Sequence, residues 1–99
     1  MFSLDDKWKD IDIQWWLYKG TLARQSLSVK YYKSWFNAYK SYIELKELED
    51  NYEIDEKIRN IIAMLDTNMY EVEYELSKDM FNVLKISINK IKDKLQEII

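Results

Sequence analysis

The side chains that could carry out chemistry in this sequence are carboxylates and amines. Its 99 residues include 18 Asp and Glu and 15 Lys and Arg, but neither histidine nor cysteine. Histidine is the common general base at neutral pH and cysteine the common thiolate nucleophile, so both classes of catalysis lack their usual side chain. The same absences remove the usual zinc ligands and any disulfide. An active site would therefore have to consist of carboxylates that bind a metal.

Two kinds of helical carboxylate site can be compared with the sequence. The di-iron site of ferritin-like bundles needs Glu-x-x-His pairs, which a histidine-free chain cannot form. All-helical, magnesium-dependent nucleotide pyrophosphohydrolases place Glu-x-x-Glu on one helix and Glu-x-x-Asp on the next. Glu44 and Glu47 match the first half, but the residues three positions after Glu71, Glu73 and Glu75 are tyrosine, leucine and lysine. A metal-dependent carboxylate enzyme is thus the weakest alternative. We expect no enzymatic activity, no metal site and no cofactor.

Acidic residues are concentrated in the middle of the chain. Residues 1–43 carry four acids and seven bases, residues 44–79 twelve acids and four bases, and residues 80–99 two acids and four bases. An acidic surface of this density can steer a basic protein partner, although it can also be a solvated face. The partner-binding acidic band is predicted to consist of Glu71, Glu73, Glu75 and Asp79. On a continuous helix, the first, third and fourth of these would share one face.

The stretch YYKSWFNAYKSY, residues 31–42, contains six aromatic rings and two lysines. Rings and cations exposed together could stack bases and neutralise phosphates. At helical spacing, however, Lys30, Lys33, Asn37 and Lys40 form one stripe, and most of the rings lie away from it. This separation predicts a buried aromatic face beside a solvated lysine face.

The N-terminal half nevertheless contains more aromatic residues than the interior of a small helical bundle can readily bury. Ten lie between Trp8 and Tyr42, and each can bury about 150–250 Å². Because Tyr, Trp and Phe are enriched at interfaces, we expect some of them to form an intermolecular surface. The predicted aromatic interface consists of Trp15, Trp16, Tyr18, Tyr31, Trp35 and Tyr42.

The elements that position these residues are predicted to be helices. Proline is absent and Gly20 is the only glycine, so turn-forming residues are scarce. We expect one all-α domain, a small bundle of three to four helices with a long C-terminal helical region. Periodicity places the helices at about residues 4–19, 28–50, 55–66 and 68–98, with the last two continuous in an alternative reading.

Local signals set these boundaries. Ser3 and Asp6 resemble a capping box that starts the first helix, and Gly20 is placed to end it. Ser26 or Ser28 could cap the second helix, and Asp55 the third. The weak helix formers at residues 66–68 favour a break there.

The C-terminal segment combines an apolar seam with lysines. The seam consists of Ile88, Ile91, Leu95 and Ile98, and we expect it to mediate self-association rather than to lie on an anionic membrane. No apolar run approaches the roughly 20 residues of a membrane-spanning helix, and the N-terminus does not resemble a signal peptide. These features favour a soluble, cytoplasmic protein.

The primary hypothesis is a non-enzymatic protein–protein interaction module that forms a homodimer and binds a protein through acidic and aromatic surfaces. A coding bias toward Lys, Ile, Asn, Tyr and Phe suggests a more specific version. In that version the chain is a small viral or mobile-element inhibitor of a host or defence protein in the host cytoplasm, as an anti-CRISPR protein would be. The alternative is a nucleic-acid-binding accessory protein that uses Lys30, Lys33, Lys40 and the lysines of residues 85–94.

Overall fold

The computed structural model describes residues 4–98, with side chains from residue 6 onward. Within this range the chain forms four helices and no strand. They are α1 (Leu4–Arg24), α2 (Ser28–Leu45), α3 (Asn51–Val72) and α4 (Lys78–Gln96). The predicted all-α bundle is confirmed. None of the described helices is both long and apolar enough to cross a membrane.

The four helices are arranged in a ring. α1 packs against α2 and α4, and α3 packs against the same two helices, while no described Cα atom of α1 lies within 8 Å of one in α3, nor any of α2 within 8 Å of one in α4. The connections are short, so consecutive helices run antiparallel. Lys94 Nζ lies 2.8 Å from Asp10 Oδ2, which places the end of α4 beside the start of α1. The topology is therefore up-down-up-down.

Each helix contributes one buried stripe to the core. In α1 the fully or nearly fully buried hydrophobic residues are Ile11, Trp15, Tyr18 and Leu22, and in α4 they are Leu84, Ile88, Ile91 and Leu95. Their spacing of three or four residues is the helical period. Each such side chain contributes about 1.5–3 kcal/mol by leaving water.

The C-terminal seam packs inside the monomer. Ile88, Ile91 and Leu95 are 0% exposed, and Ile98 is partly buried against the same core. The prediction of a self-association seam is therefore wrong for Ile88, Ile91 and Leu95, because their side chains are fully covered by their own chain.

Helix α1 continues past Gly20 and ends at Arg24. Ser26 adopts the left-handed conformation that was expected of Gly20, with φ 59°. The Leu27 N–H donates to the Leu22 carbonyl at 2.8 Å and the Ser26 N–H to the Ala23 carbonyl at 3.0 Å. These two bonds form a Schellman motif, so the residues after Arg24, and not the glycine, end α1.

The second connection also differs from the expectation. Leu27 is the N-cap of α2 and supplies no side-chain hydrogen bond, so neither Ser26 nor Ser28 caps that helix. Helix α2 ends at Leu45 rather than near residue 50. Asp50, not Asp55, caps α3, because its carboxylate accepts hydrogen bonds from the backbone N–H groups of Tyr52 and Glu53, at 2.8 and 3.1 Å.

The predicted break at residues 66–68 is absent, because tertiary and local contacts hold these weak helix formers. Lys92 Nζ lies 2.6 Å from Asp66 Oδ1, and Thr67 donates to a carbonyl one turn earlier at 3.1 Å. Asn68 Nδ2 donates to the Ser34 carbonyl in α2 at 3.0 Å. The helix ends at Val72 instead, residues 73–77 connect α3 to α4, and Ser77 caps α4. The predicted capping box of Ser3 lies outside the described residues.

Candidate protein-interaction surface

A cluster of half-exposed apolar side chains covers the outer side of α1 and α2, and we call it the aromatic face. Its five members are Ile13, Trp16 and Leu17 on α1 and Tyr32 and Phe36 on α2. Each is between 43% and 57% exposed. A contiguous apolar patch of this kind on a small protein often marks an interaction site. The aromatic face is therefore the candidate functional surface.

The face is continuous across the boundary between the two helices. Its α1 members are spaced by three and four residues and its α2 members by four, so each set shares one side of its helix. The Trp16 ring lies 5.6 Å from the Trp35 ring of α2. Trp35 in turn lies 5.9 Å from Tyr32. These ring contacts place Trp16 of α1 beside the exposed rings of α2, with the buried Trp35 between them.

Stacked rings hold the α2 part of the face in place. Tyr32 stacks on Phe36 at 5.7 Å with an interplanar angle of 20°, and on Trp35 at 5.9 Å and 29°. Trp35 stacks on Tyr39 at 4.8 Å and 16°. Such pairs contribute about 0.5–1.5 kcal/mol beyond their buried area. Because the rings are already ordered, a partner would spend less entropy in fixing them.

One cation lies over the centre of the aromatic face. Lys19 Nζ is 5.4 Å from the ring centroid of Trp16 and 5.0 Å from those of Tyr32 and Trp35. Contacts of this type are worth about 0.5–1 kcal/mol at exposed sites. A shallow groove of 390 Å³ adjoins the lysine and is lined by Lys19, Ser28, Val29 and Tyr32. The face thus offers apolar area with a positive charge and a groove at one end.

Three polar contacts fix α1 against α2. Trp35 Nε1 donates to the Trp15 carbonyl at 3.0 Å. The Tyr42 hydroxyl donates to Asp12 Oδ1 at 2.6 Å, and Lys46 Nζ lies 3.1 Å from the same oxygen. Burial, followed by the hydrogen bond to Asp12, raises the pKa of Tyr42 far above its ordinary value. The phenol therefore remains a hydrogen-bond donor at neutral pH.

The predicted aromatic interface lies mostly inside the fold. Only Trp16 is exposed, at 53%. The other five residues are at most 8% exposed: Trp15, Tyr18, Tyr31, Trp35 and Tyr42. Their assignment to an intermolecular surface is wrong because they fill the α1–α2 side of the core.

Sequence reasoning missed four members of the aromatic face: Ile13, Leu17, Tyr32 and Phe36. A signal for the α2 pair was present in the spacing. Phe36 follows Lys33 by three residues and precedes Lys40 by four, and both lysines are exposed. The ring row that borders the lysine stripe is the half-exposed one, whereas the row through Trp35 is buried.

The predicted acidic band does not share one helical face. Because α3 ends before Glu73, Glu71 lies in the last turn of α3, Glu73 and Glu75 near the connection, and Asp79 in the first turn of α4. Glu73 and Asp79 are exposed and form no ion pair with another described residue. These two carboxylates are the free part of the band.

The other half of the band is bound to α2. Lys30 forms an ion pair with Glu75. Ser34 Oγ donates to Glu71 Oε2 at 3.2 Å, and the Tyr31 hydroxyl donates to the Glu71 carbonyl at 3.1 Å. The Lys30 ammonium and the Tyr31 hydroxyl hold the pKa of Glu75 below its ordinary value. These contacts join the α3–α4 connection to the start of α2.

The lysines of the nucleic-acid alternative are divided in the same way. Lys92 pairs with Asp66 and Lys94 with Asp10, at 2.6 and 2.8 Å. Four are exposed and form no ion pair with another described residue: Lys33, Lys40, Lys85 and Lys90. Two of these lie on α2 and two on α4, which are diagonal to each other in the bundle. The unpaired lysines therefore do not line a common groove.

Glu44, from the pyrophosphohydrolase-like pattern, lies beside a cation. Lys57 Nζ is 2.7 Å from Glu44 Oε2, and this hydrogen bond lowers the pKa of the carboxyl group. Across residues 6–98, no three His, Cys, Asp or Glu side chains are grouped so that they could hold a metal ion together.

Comparison with known proteins gives no relative from which a function could be transferred. No protein-family model, no curated protein and no solved structure matches this chain. The aromatic face is therefore interpreted from its own geometry.

Proposed function

We propose that this chain is a non-enzymatic protein-binding module and that the aromatic face is its docking surface. The observation that carries the proposal is the exposure of five large apolar side chains, each between 43% and 57%, on two adjacent helices. Trp and Tyr are the residues most enriched among interface hot spots. The stacked support beneath them supplies the rigidity that a docking surface needs.

The ring geometry favours a protein over a nucleic acid. A base that stacks on a protein ring needs an open ring face. Tyr32 is stacked by Phe36 and by Trp35, and Lys19 lies over Trp16 and Tyr32. These neighbours within the chain leave less open ring face on Trp16 and Tyr32 for a base to stack on. The net charge of −3 also works against binding a polyanion.

Variants of the aromatic face test this function directly. A tagged wild-type chain is incubated with a nuclease-treated lysate of its native host and compared with Phe36→Asp. Tyr70→Asp is the matched control, because Tyr70 is 70% exposed on α3, away from α1. The proposal predicts that at least one protein from the lysate binds to wild type and to Tyr70→Asp but not to Phe36→Asp. Equal retention by all three chains, with unchanged circular dichroism, would contradict it.

The free acidic residues support a second surface. Glu73 and Asp79 are exposed where α3 connects to α4. Such carboxylates suit a basic protein, including the host or defence protein that a viral or mobile-element inhibitor of the anti-CRISPR kind would block. The test compares the double variant Glu73→Lys, Asp79→Lys with Phe36→Asp. A captured protein that the double variant loses and Phe36→Asp retains would be assigned to the acidic surface. Retention of every captured protein by the double variant would contradict this second role.

A further inference from the structure

We infer that the aromatic face pairs with the aromatic face of a second copy of this chain, with the two α1 helices antiparallel. The inference rests on the proposed function, because it names the protein that occupies the docking surface. It starts from one outward stripe of α1, which consists of Asp6, Ile13, Leu17, Gly20 and Arg24. Steps of seven, four, three and four residues keep these positions on one side of the helix.

Charge along the stripe is self-complementary in one orientation. Asp6 lies at the start of α1 and Arg24 at its end, and the apolar members lie between them. An antiparallel pair with its twofold axis near residue 15 places Asp6 opposite Arg24 of the second copy, and Ile13 opposite Leu17. A parallel pair would place each charged residue beside its own equivalent. Opposite charges thus select the antiparallel arrangement.

Both charged residues remain available for such a contact. The other described acids of α1 are occupied within the monomer, since Asp10 pairs with Lys94 and Asp12 with Lys46. Asp6 and Arg24 are exposed and form no ion pair with another described residue. Eighteen residues separate them, so the two intermolecular pairs would lie about 27 Å apart, at either end of the interface.

Helix α2 places more apolar surface near the same axis. Trp35 of α2 bonds to the carbonyl of Trp15, so α2 crosses the axis close to Phe36. Phe36 would therefore lie near Phe36 of the second copy. The five members of the aromatic face leave about 100 Å² each exposed, on the order of 500 Å² together. A standard interface covers about 800 Å² per partner, of which a polar rim supplies part.

Gly20 fits a close approach of two helices. Inside α1 it has no positive φ, and a Cβ at this position would meet nothing within 4 Å. Neither the backbone nor the packing of the monomer therefore requires glycine here. A residue without a side chain on the outward stripe lets another helix come near the backbone.

Exchange of the two charges tests the pairing. Sedimentation is measured over a concentration series up to about 100 μM, since interfaces of this size bind in the micromolar range or tighter. Asp6→Arg and Arg24→Asp should each weaken dimerisation about tenfold, and the double variant should restore it. The helix dipole has the opposite effect on the monomer, because the double variant places a base at the N-terminus of α1 and an acid at its C-terminus, and both destabilise the helix. Recovery by the double variant therefore cannot come from monomer stability.

An apolar pair of variants provides the second arm. Leu17→Asp should weaken dimerisation at least a hundredfold, whereas Met64→Asp should leave it unchanged. Leu17 is 46% exposed on α1, and Met64 is 37% exposed on α3, which lies diagonally across the bundle from α1. Circular dichroism verifies that each variant folds.

Two outcomes would overturn the inference: a wild type that stays monomeric throughout the series, or a double charge exchange that dimerises no better than either single variant. If a monomeric wild type still lost a captured protein on Phe36→Asp, the protein-binding function would stand and only the second copy would be wrong. If the wild type is monomeric and Phe36→Asp loses nothing, both proposals fail.

Discussion

Replacement of Gly20 by alanine should stabilise the protein. Gly20 lies inside α1 without a positive φ, and the added methyl group would meet no atom within 4 Å. Glycine costs a helix interior about 0.5–1 kcal/mol relative to alanine, because its backbone loses more freedom on folding. Gly20→Ala should raise the free energy of unfolding by that amount.

Ser26 provides the matched comparison at the true end of α1. Its φ of 59° is left-handed, a conformation that costs a residue with a Cβ about 1–2 kcal/mol. The greater freedom of glycine in the unfolded chain offsets about 0.4–1 kcal/mol of that gain. Ser26→Gly should therefore stabilise by about 1 kcal/mol, whereas Ser26→Ala keeps the Cβ and should gain nothing.

Urea unfolding followed by far-ultraviolet circular dichroism measures these differences, at a protein concentration where sedimentation shows each chain to be monomeric, so that dimerisation does not contribute. In a domain of this size, each kcal/mol also shifts the thermal midpoint by about 4–8 °C. A lower free energy of unfolding for Gly20→Ala would refute the reasoning, because it would place the left-handed helix end at Gly20. A gain from Ser26→Ala equal to that from Ser26→Gly would refute the assignment of Ser26.

Three further predictions concern polar groups. Tyr42→Phe should lower the free energy of unfolding by about 2 kcal/mol in urea titrations, because Asp12 loses a 2.6 Å hydrogen bond; an unchanged value would contradict this. Asp50→Ala should lower the free energy of unfolding by about 1 kcal/mol, since it removes the cap of α3. Asp50→Ser should keep most of that free energy, because serine is also a favourable N-cap. Burial raises the pKa of Tyr18 and Tyr42 in the folded chain, so these two tyrosines ionise at lower pH in the unfolded chain. The free energy of unfolding should therefore fall above about pH 10, by about 1.4 kcal/mol per pH unit for each of the two tyrosines. Tyrosinate absorbance should then show two of the eight tyrosines titrating only as helical signal is lost, and simultaneous early titration of all eight would contradict it.

The fold class could be predicted because its signals are local. A chain without proline and with one glycine, and with apolar residues at helical spacing, has few alternatives to helices. In α2 the buried residues follow the helical period, and they are Tyr31, Trp35, Ala38, Tyr42 and Leu45. Periodicity identifies such a row without knowledge of what covers it.

Helix boundaries depended on contacts that spacing does not reveal. Asn68 is a weak helix former, but its amide bonds to the carbonyl of Ser34, which lies 34 positions away in the chain. Asp66 is likewise held by Lys92. Local propensity favours a break at these residues, and tertiary contacts outweigh it.

The candidate surface was only partly predictable for a related reason. An apolar stripe shows that something covers it, but not whether the cover belongs to the same chain. Ile88 and Ile91 are covered by their own bundle, whereas Ile13 remains 57% exposed. Trp15 and Trp16 were both assigned to the interface, but adjacent residues point about 100° apart on a helix, and only Trp16 is exposed.

Site-specific photo-crosslinking in cells that naturally contain the protein tests the docking function of the aromatic face most directly. A photoreactive phenylalanine analogue replaces Phe36 in one chain and Tyr70, on α3, in the control. After nuclease treatment, position 36 should give discrete adducts with a protein, at twice the chain mass if the occupant is a second copy, and position 70 should give none of them. Absence of adducts at position 36, or adducts that disappear with nuclease, would contradict the assignment of this face as a protein-docking surface.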